Sequence, residues 1–265
     1  MTLDLGRVER LANDIAYMAG DVLMNFWQDG FRQTTKSSSI DVVTEADSAA
    51  ESLIVSRLLT AFPDHHIIGE EGGGMGADIE TAPYRWYVDP LDGTTNYANR
   101  IPIFAVSLAL TDSAMNPLVG VVYSPMSDEL FSAARGAGTT RNGQPVTVSA
   151  ETALERSVLA SGFPYDKHTS PQNNLREWGA MLVRSRGLRR LGAAALDCCY
   201  VADGRFDGYW EQKVKPWDVL AGMLCAEEAG ATISDYDGRK APGFIEAGRV
   251  VISNGHIHRQ MLDVL

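Results

Sequence analysis

The hydrophobic pattern of this chain changes period once, after the Asn142-Gly143 turn signal, and that change limits the architectures open to it. Before it, Phe104 to Thr111, Leu118 to Tyr123 and Glu129 to Ala134 read as strands joined by short turn-rich links around Asn116-Pro117 and Pro125. Links that short connect antiparallel neighbours, so a meander is predicted. After it, strand and helix alternate. Ser157 to Gly162, Leu188 to Leu191 and Phe206 to Glu211 read as strands, and Pro171 to Arg184, Ala193 to Ala202 and Asp218 to Ala229 as helices. Two short strands, Ala231 to Ser234 and Val250 to Ser253, precede a terminal helix. The expected class is therefore mixed α+β and α/β, with an N-terminal half over residues 1–145 and a C-terminal half over 146–265. No repeat or proline-rich linker separates the halves, so one tightly packed unit with a cleft between them is expected.

The N-terminal half opens with two helices. Val8, Leu11, Ile15, Met18, Val22 and Phe26 recur at spacings of three and four and define one apolar face. A second helix is predicted from about Thr44 to Phe62, with Ala50, Leu53, Ile54 and Leu58 inward and Pro63-Asp64 as its stop. Two apolar runs, His66 to Glu70 and Arg85 to Asp89, then read as strands that each end on a carboxylate. Gly72 to Gly76 reads as a mobile loop.

Charge and composition remove several functions. The 265 residues carry 34 acidic and 23 basic side chains, a net charge of -11, and no basic run is longer than the Arg189-Arg190 pair. Direct nucleic-acid or anionic-membrane binding is therefore not expected. No stretch approaches the roughly 20 apolar residues that cross a bilayer, and with a mixed-charge N-terminus no signal peptide is expected. Three cysteines, two of them adjacent at Cys198-Cys199, form neither a disulfide framework nor a metal pair, so a reducing, cytoplasmic location is expected. The five histidines make no zinc motif, and no phosphate-binding glycine signature of nucleotide enzymes is present.

The segment Trp86-Tyr-Val-Asp-Pro-Leu-Asp-Gly-Thr-Thr-Asn-Tyr97 carries the most chemistry. Pro90 fixes φ and lacks a donor, so the chain is expected to turn there, letting Asp89 and Asp92 converge with the Leu91 carbonyl free between them. Three hard oxygens so close suit Mg²⁺. Gly93 permits close backbone approach, and the amides of Gly93, Thr94 and Thr95 can hold a phosphate beside the metal. Asp-Pro-x-Asp-Gly also describes an ordinary turn. Glu70 likewise reads as a solvated strand end, and Asp218, after Pro216-Trp217, as a helix N-cap.

Taken together, Gly69-Glu70-Glu71, Asp89-Pro-Leu-Asp-Gly-Thr-Thr-Asn-Tyr97 and Trp217-Asp218-Val-Leu-Ala-Gly222 resemble, in order and spacing, the motifs of the inositol monophosphatase family of Mg²⁺-dependent, Li⁺-sensitive phosphatases. The resemblance runs end to end. It implies a five-layer α-β-α-β-α sandwich, commonly a homodimer, with two or three Mg²⁺ ions held by Glu70, Asp89, the Leu91 carbonyl, Asp92 and Asp218. The run Lys36 to Asp47 is similar to the family segment whose last aspartate hydrogen-bonds the threonine of the Asp-Gly-Thr turn, here Asp47 and Thr94. A capping box with Thr44 as N-cap accounts for Asp47 equally well. Glu211 looks like the family's polyol-hydroxyl ligand, or else an exposed edge charge. Gly192-Ala193-Ala194 matches the substrate loop, with Ala193 where many relatives carry a hydroxyl.

The reaction so implied is hydrolysis of a small phosphate monoester by metal-activated water, with Glu70, Thr94 and Asp47 catalytic and Asp92, Gly93, Thr94, Gly192, Ala193, Ala194 and Glu211 around the substrate. myo-Inositol monophosphate is the first expectation, favoured by Thr95-Asn96-Tyr97. Histidinol phosphate, fructose bisphosphate and 3'-phosphonucleotides are alternatives on the same scaffold. A catalytically silent polyol-phosphate-binding protein is the alternative from another class.

Overall fold

The computed structural model describes residues 3–35, 42–241 and 243–265. Lys36 to Asp41, the first part of the run ending at Asp47, lie outside the described residues. The helices are α1 (Leu5–Asp29), α2 (Glu45–Ala61), α3 (Thr94–Ala98), α4 (Leu175–Leu182), α5 (Ala194–Ala202), α6 (Pro216–Glu228) and α7 (His258–Leu262). The strands are β1 (Gln33–Thr35), β2 (Val42–Thr44), β3 (His66–Gly69), β4 (Gly73–Gly76), β5 (Tyr84–Asp92), β6 (Ala105–Asp112), β7 (Pro117–Ser124), β8 (Glu129–Ala134), β9 (Gly138–Arg141) and β10 (Gln144–Pro145), followed by β11 (Val158–Ser161), β12 (Gly187–Arg189), β13 (Gly208–Gln212), β14 (Thr232–Ser234) and β15 (Arg249–Ser253).

An eight-stranded sheet runs β10-β9-β8-β7-β6-β5-β3-β4, and its meander from β5 to β10 is antiparallel throughout, as the short links require. A five-stranded sheet, β12-β11-β13-β15-β14, takes parallel pairs where helices cross over and antiparallel ones at β13-β15-β14. Helices fill the space around and between the sheets in five layers. α1 and α2 pack on one face of the larger sheet, α5 and α6 lie between the two sheets, and α4 and α7 contact the smaller sheet at β12 and β15. Three hydrophobic clusters fill the four interfaces between layers, one of them spanning both sides of the α5–α6 layer. Such layering is the expected way to bury one apolar stripe per helix and both faces of each sheet.

Three local expectations change. α1 buries Val8, Ala12, Ile15, Ala16, Ala19, Gly20 and Leu23, leaving Met18 exposed. Small residues face the sheet because the helix sits close against it: a Cβ on Gly20 would stand 2.5 Å from the Tyr123 ring. Gly73 to Gly76 is an edge strand paired antiparallel to β3. Its glycines carry no side-chain alternation, so only the backbone ladder reveals it. The long helix predicted from Pro171 to Arg184 is only Leu175–Leu182, because Asn174 adopts φ 67° just before its start.

Candidate active site

β5 runs through Asp89-Pro90-Leu91-Asp92, and its pairing with β6 slips there: Asp89 opposes Ser107, while Asp92 opposes Ala105. Pro90 cannot donate to the ladder, so an interior strand accommodates it only at a bulge. The two aspartates therefore belong to the strand itself rather than to a turn following it. Asp89 Oδ1 accepts the Leu91 N–H at 2.9 Å. Gly93 takes the left-handed conformation (φ 96°), where a Cβ would approach the Ile103 carbonyl to 3.0 Å, and α3 begins at the next residue.

The Leu91 carbonyl is not free, as the sequence suggested, because the Thr94 hydroxyl lies 3.0 Å from it. The same hydroxyl lies 3.2 Å from Asp47 Oδ1. With one proton to give, Thr94 shares it between two acceptors, and the carbonyl keeps a lone pair. Asp47 Oδ2 accepts the Thr44 N–H at 2.9 Å and the Thr44 hydroxyl at 2.6 Å. Both readings of Asp47 hold together: it completes the capping box of α2 and reaches the Asp-Gly-Thr segment. Burial, partly opposed by the Thr44 hydrogen bonds, lifts its carboxyl to about 6.

Glu70 leaves β3 with its N–H donating to the Val88 carbonyl at 3.1 Å, which fixes it beside β5. Asp218 stands at the third position of α6, and one of its oxygens accepts the Lys215 N–H at 2.7 Å. Lys215 rather than Asp218 is thus the N-cap, and Asp218 caps from inside. Glu70, Asp89 and Asp218 each offer a carboxylate oxygen to a group whose members lie within 4.8 Å of one another. Oxygens around a Mg²⁺ at about 2.0–2.1 Å sit roughly 3–4 Å apart, so this set fits such an ion with little adjustment. Burial first, then the neighbouring carboxylates with Glu70 foremost, pushes Asp89 and Asp218 well above the usual range. A cation is the species that would relieve both.

Asp92 is held differently. Its Oδ1 accepts the Ala194 N–H at 3.1 Å and its Oδ2 the Ala195 N–H at 2.7 Å, so it caps α5 from across the sheet interface. The carboxyl is still raised to about 7, chiefly by burial. These amides go to Asp92 rather than outward, and Ala193 is fully buried, so only part of the Gly192-Ala193-Ala194 loop faces a ligand. Asn96 ties the same loop to α3, its side-chain amide donating to the Leu191 and Ile103 carbonyls, each at 2.8 Å.

Glu211 is no edge charge, because β13 is the middle strand of its sheet. The Tyr209 hydroxyl donates to its Oε2 at 2.8 Å, and the absence of a side chain at Gly162 makes room for the carboxylate. Burial lifts Glu211 to about 7, against the pull of Tyr209 and Arg190. Sequence reasoning missed Tyr209, although two residues apart on a strand share a face. It also missed Asp197, 2% exposed with an Oδ1 that has no partner, and Glu51, whose Oε1 accepts the Glu71 N–H at 3.0 Å. His65 accepts the Trp86 ring N–H, and His66 and His258 bond to neighbouring oxygens, which leaves all three structural.

A profile of the inositol monophosphatase family matches residues 4–265. An inositol-1-monophosphatase of Synechocystis sp. is 39% identical over 262 residues, covering 99% of this chain and 90% of that protein. A Vibrio cholerae protein named Nus factor SuhB is 43% identical over 223 residues, 84% of this chain and 81% of its own length. Among solved structures, an inositol monophosphatase from Anabaena (Nostoc) sp. superposes with a TM-score of 0.88 at 39% identity, covering 99% of this chain and 96% of its own.

Proposed function

The chain belongs to the inositol monophosphatase family, and on that premise we propose that this phosphatase is a Mg²⁺-dependent phosphomonoesterase acting on a small polyol phosphate, myo-inositol monophosphate foremost. The observation that carries the proposal is the convergence of Glu70 just past β3, Asp89 of β5 and Asp218 of α6. In this reading Glu70, Asp89, Asp92, Asp218 and the remaining lone pair of the Leu91 carbonyl hold two or three ions. When bound, Mg²⁺ supplies charge neutralisation at the phosphoryl group and acidifies water.

The chain's own groups then do the following. Asp47 draws the Thr94 hydroxyl proton toward itself, so that the Thr94 oxygen presents lone pairs to the hydrogen of an attacking water. Glu70 accepts the other hydrogen and takes the water proton as the new P–O bond forms and the ester P–O bond breaks. The departing alkoxide takes a proton from solvent and leaves as the free polyol. The first amides of α3, at Gly93 and Thr94, orient the phosphate. Glu211, aimed by Tyr209, accepts hydrogen bonds from polyol hydroxyls. Asp92, held by the Ala194 and Ala195 amides, ties the end of β5 to the start of α5 beside the other metal ligands.

Residues 1–145 and 146–265 work in this proposal as one catalytic unit, since Glu70 and Asp89 come from the first and Asp218 and Glu211 from the second. A cytoplasmic homodimer is proposed with it. Support comes from three free, buried cysteines and the family resemblance, and light scattering on the purified protein tests the assembly. Among the described residues no helix is long and apolar enough to cross a membrane.

The deciding experiment is phosphate release with and without Mg²⁺ on inositol monophosphates, histidinol phosphate, fructose bisphosphate and phosphoadenosine phosphate. Highest kcat/KM on an inositol monophosphate is expected. Another leading substrate would reassign specificity, and no Mg²⁺-dependent release from any of them would overturn the proposal. Li⁺ at fixed Mg²⁺ should inhibit, and indifference at tens of millimolar would remove the lithium-sensitive placement.

A further inference from the structure

Helix α2 buries two carboxylates, Asp47 and Glu51, spaced four residues apart and hence on one face. Like charges so placed oppose each other, and glutamate is among the residues least often found fully buried. Glu51 is nevertheless only 6% exposed. The two side chains serve different segments of the active site. Asp47 accepts from Thr94, at the start of α3. Glu51 accepts from the backbone of Glu71, at 3.0 Å, and of Gly72, immediately after Glu70.

The Glu70 turn is shaped around Glu51. A Cβ on Gly69 would stand 2.2 Å from Glu51 Oε1, and one on Gly72 would stand 3.0 Å from Oε2. The space that side chains would occupy on either side of Glu70-Glu71 is filled by this carboxylate. On its other side the turn is tied to β5 by the Glu70 N–H and the Val88 carbonyl. Glu70 is therefore gripped between a strand and a helix, and the same helix grips Thr94 roughly 6 Å further along its axis.

We propose that Glu51 is a positioning residue for the phosphatase reaction: together with Asp47 it makes the buried face of α2 a brace that sets Glu70 relative to Thr94. The inference rests on the reading of those two groups as the pair that orients the attacking water. A displacement of α2 moves both together, which preserves their separation. Loss of Glu51 frees one of them alone.

Glu51→Gln tests this at constant volume, because its amide offers one acceptor where the carboxylate offers two and turns an N–H toward a backbone N–H. In the metal-free protein, hydrogen exchange of the Glu71 and Gly72 amides should accelerate while the Ile54 and Leu58 amides of α2 keep their protection. With Mg²⁺, kcat should fall roughly ten- to a hundredfold, the scale set by slight misplacement of reacting groups. KM should stay within about twofold, since substrate binding is left to other residues. In a Glu70→Gln background, Glu51→Gln should cause no further loss, because it acts through Glu70.

Equal losses of kcat in both backgrounds would make Glu51 merely structural and overturn the proposal, as would unchanged kcat and exchange. Full turnover by Glu70→Gln would overturn the catalytic reading and the brace with it. A Glu70→Gln enzyme that is inactive beside a fully active Glu51→Gln enzyme would overturn the brace alone. If Glu51→Gln does not fold, Glu51→Asp, which keeps the charge but withdraws it by one methylene, is expected to give the same four readings.

Discussion

Two groups of acids meet at this site, and they are supported in opposite ways. On the side of Glu70, Asp89 and Asp218, the two aspartates each receive one backbone N–H, from Leu91 and Lys215. On the other side Asp92 receives two helix amides, and Glu211 a tyrosine hydroxyl. Burial raises all four, and like charge crowds Asp89, Asp218 and Asp92 alike, but Asp92 has two helix amides to offset it where Asp89 and Asp218 have one backbone N–H each. Asp92 and Glu211 settle at about 7. The contrast points to where a bound cation would contribute most: Asp89 and Asp218, with one donor each amid like charge, depend on it more than Asp92, which two helix amides already hold in place.

The largest expected effect comes from removing charge on the donor-poor side. Asp89→Asn keeps an acceptor for the Leu91 N–H but loses a proposed ligand. Turnover should drop roughly a hundredfold to a thousandfold, the worth of several kcal/mol of charge stabilisation. The metal-free protein should nonetheless gain thermal stability near neutral pH, because repulsion with Glu70 and Asp218 is relieved. Lower stability in a metal-free melt would break the comparison.

Asp92→Asn should behave oppositely in stability while also losing nearly all turnover. Asparagine turns an N–H toward Ala194 or Ala195, and an unsatisfied buried donor costs about 1–3 kcal/mol. Denaturant titration of both variants, side by side, tests the difference in sign. Unchanged activity at saturating Mg²⁺ would remove Asp92 from the ligand set.

Glu211→Gln should lower inositol phosphate turnover roughly ten- to a hundredfold, the value of a charge-assisted hydrogen bond of about 1.5–3 kcal/mol. p-Nitrophenyl phosphate, which has no polyol, should be much less affected, as should Mg²⁺ affinity. Equal loss on both substrates would assign Glu211 to metal binding or folding.

The smallest effect is on pH dependence. Asp47, Asp92 and Glu211 have folded-state values of about 6, about 7 and about 7, above their ordinary carboxylate values. The folded protein therefore binds more protons than the unfolded chain between about pH 4 and 7, and metal-free stability should fall as pH rises through that window. Mg²⁺, which competes with those protons, should raise the melting temperature more at pH 8 than at pH 5.5. A Mg²⁺ effect independent of pH would show that the acids do not titrate with folding.

Legibility from sequence followed the range of the forces involved. Thr44 and Asp47 stand three residues apart, and α2 begins where their capping box predicts. The meander followed from short links between apolar runs. The apolar face of α1 holds at Val8 and Ile15, with Leu11, Val22 and Phe26 packed beside them, but Met18 is exposed, because apolar size does not reveal that Ala12, Ala16 and Gly20 permit close approach to the sheet. Nothing local in the sequence singles out Glu51, because the Glu71 amide that it accepts from belongs to a different element.

By itself the sequence determined what is contiguous: the break in backbone pairing at Pro90, the freedom of Gly93 to turn left-handed, the capping box of α2, and the family to which such motifs belong. Proline's missing donor and glycine's missing Cβ act within a residue or two, so their consequences are local and readable. The tertiary structure alone decided that Asp92 spends both oxygens on α5, that β13 is central rather than an edge, and that Glu70, Asp89 and Asp218 come within 4.8 Å of one another. Those outcomes depend on the β5–β6 register and on α5 and α6 packing between two sheets. They are set by contacts between layers, which no local pattern encodes.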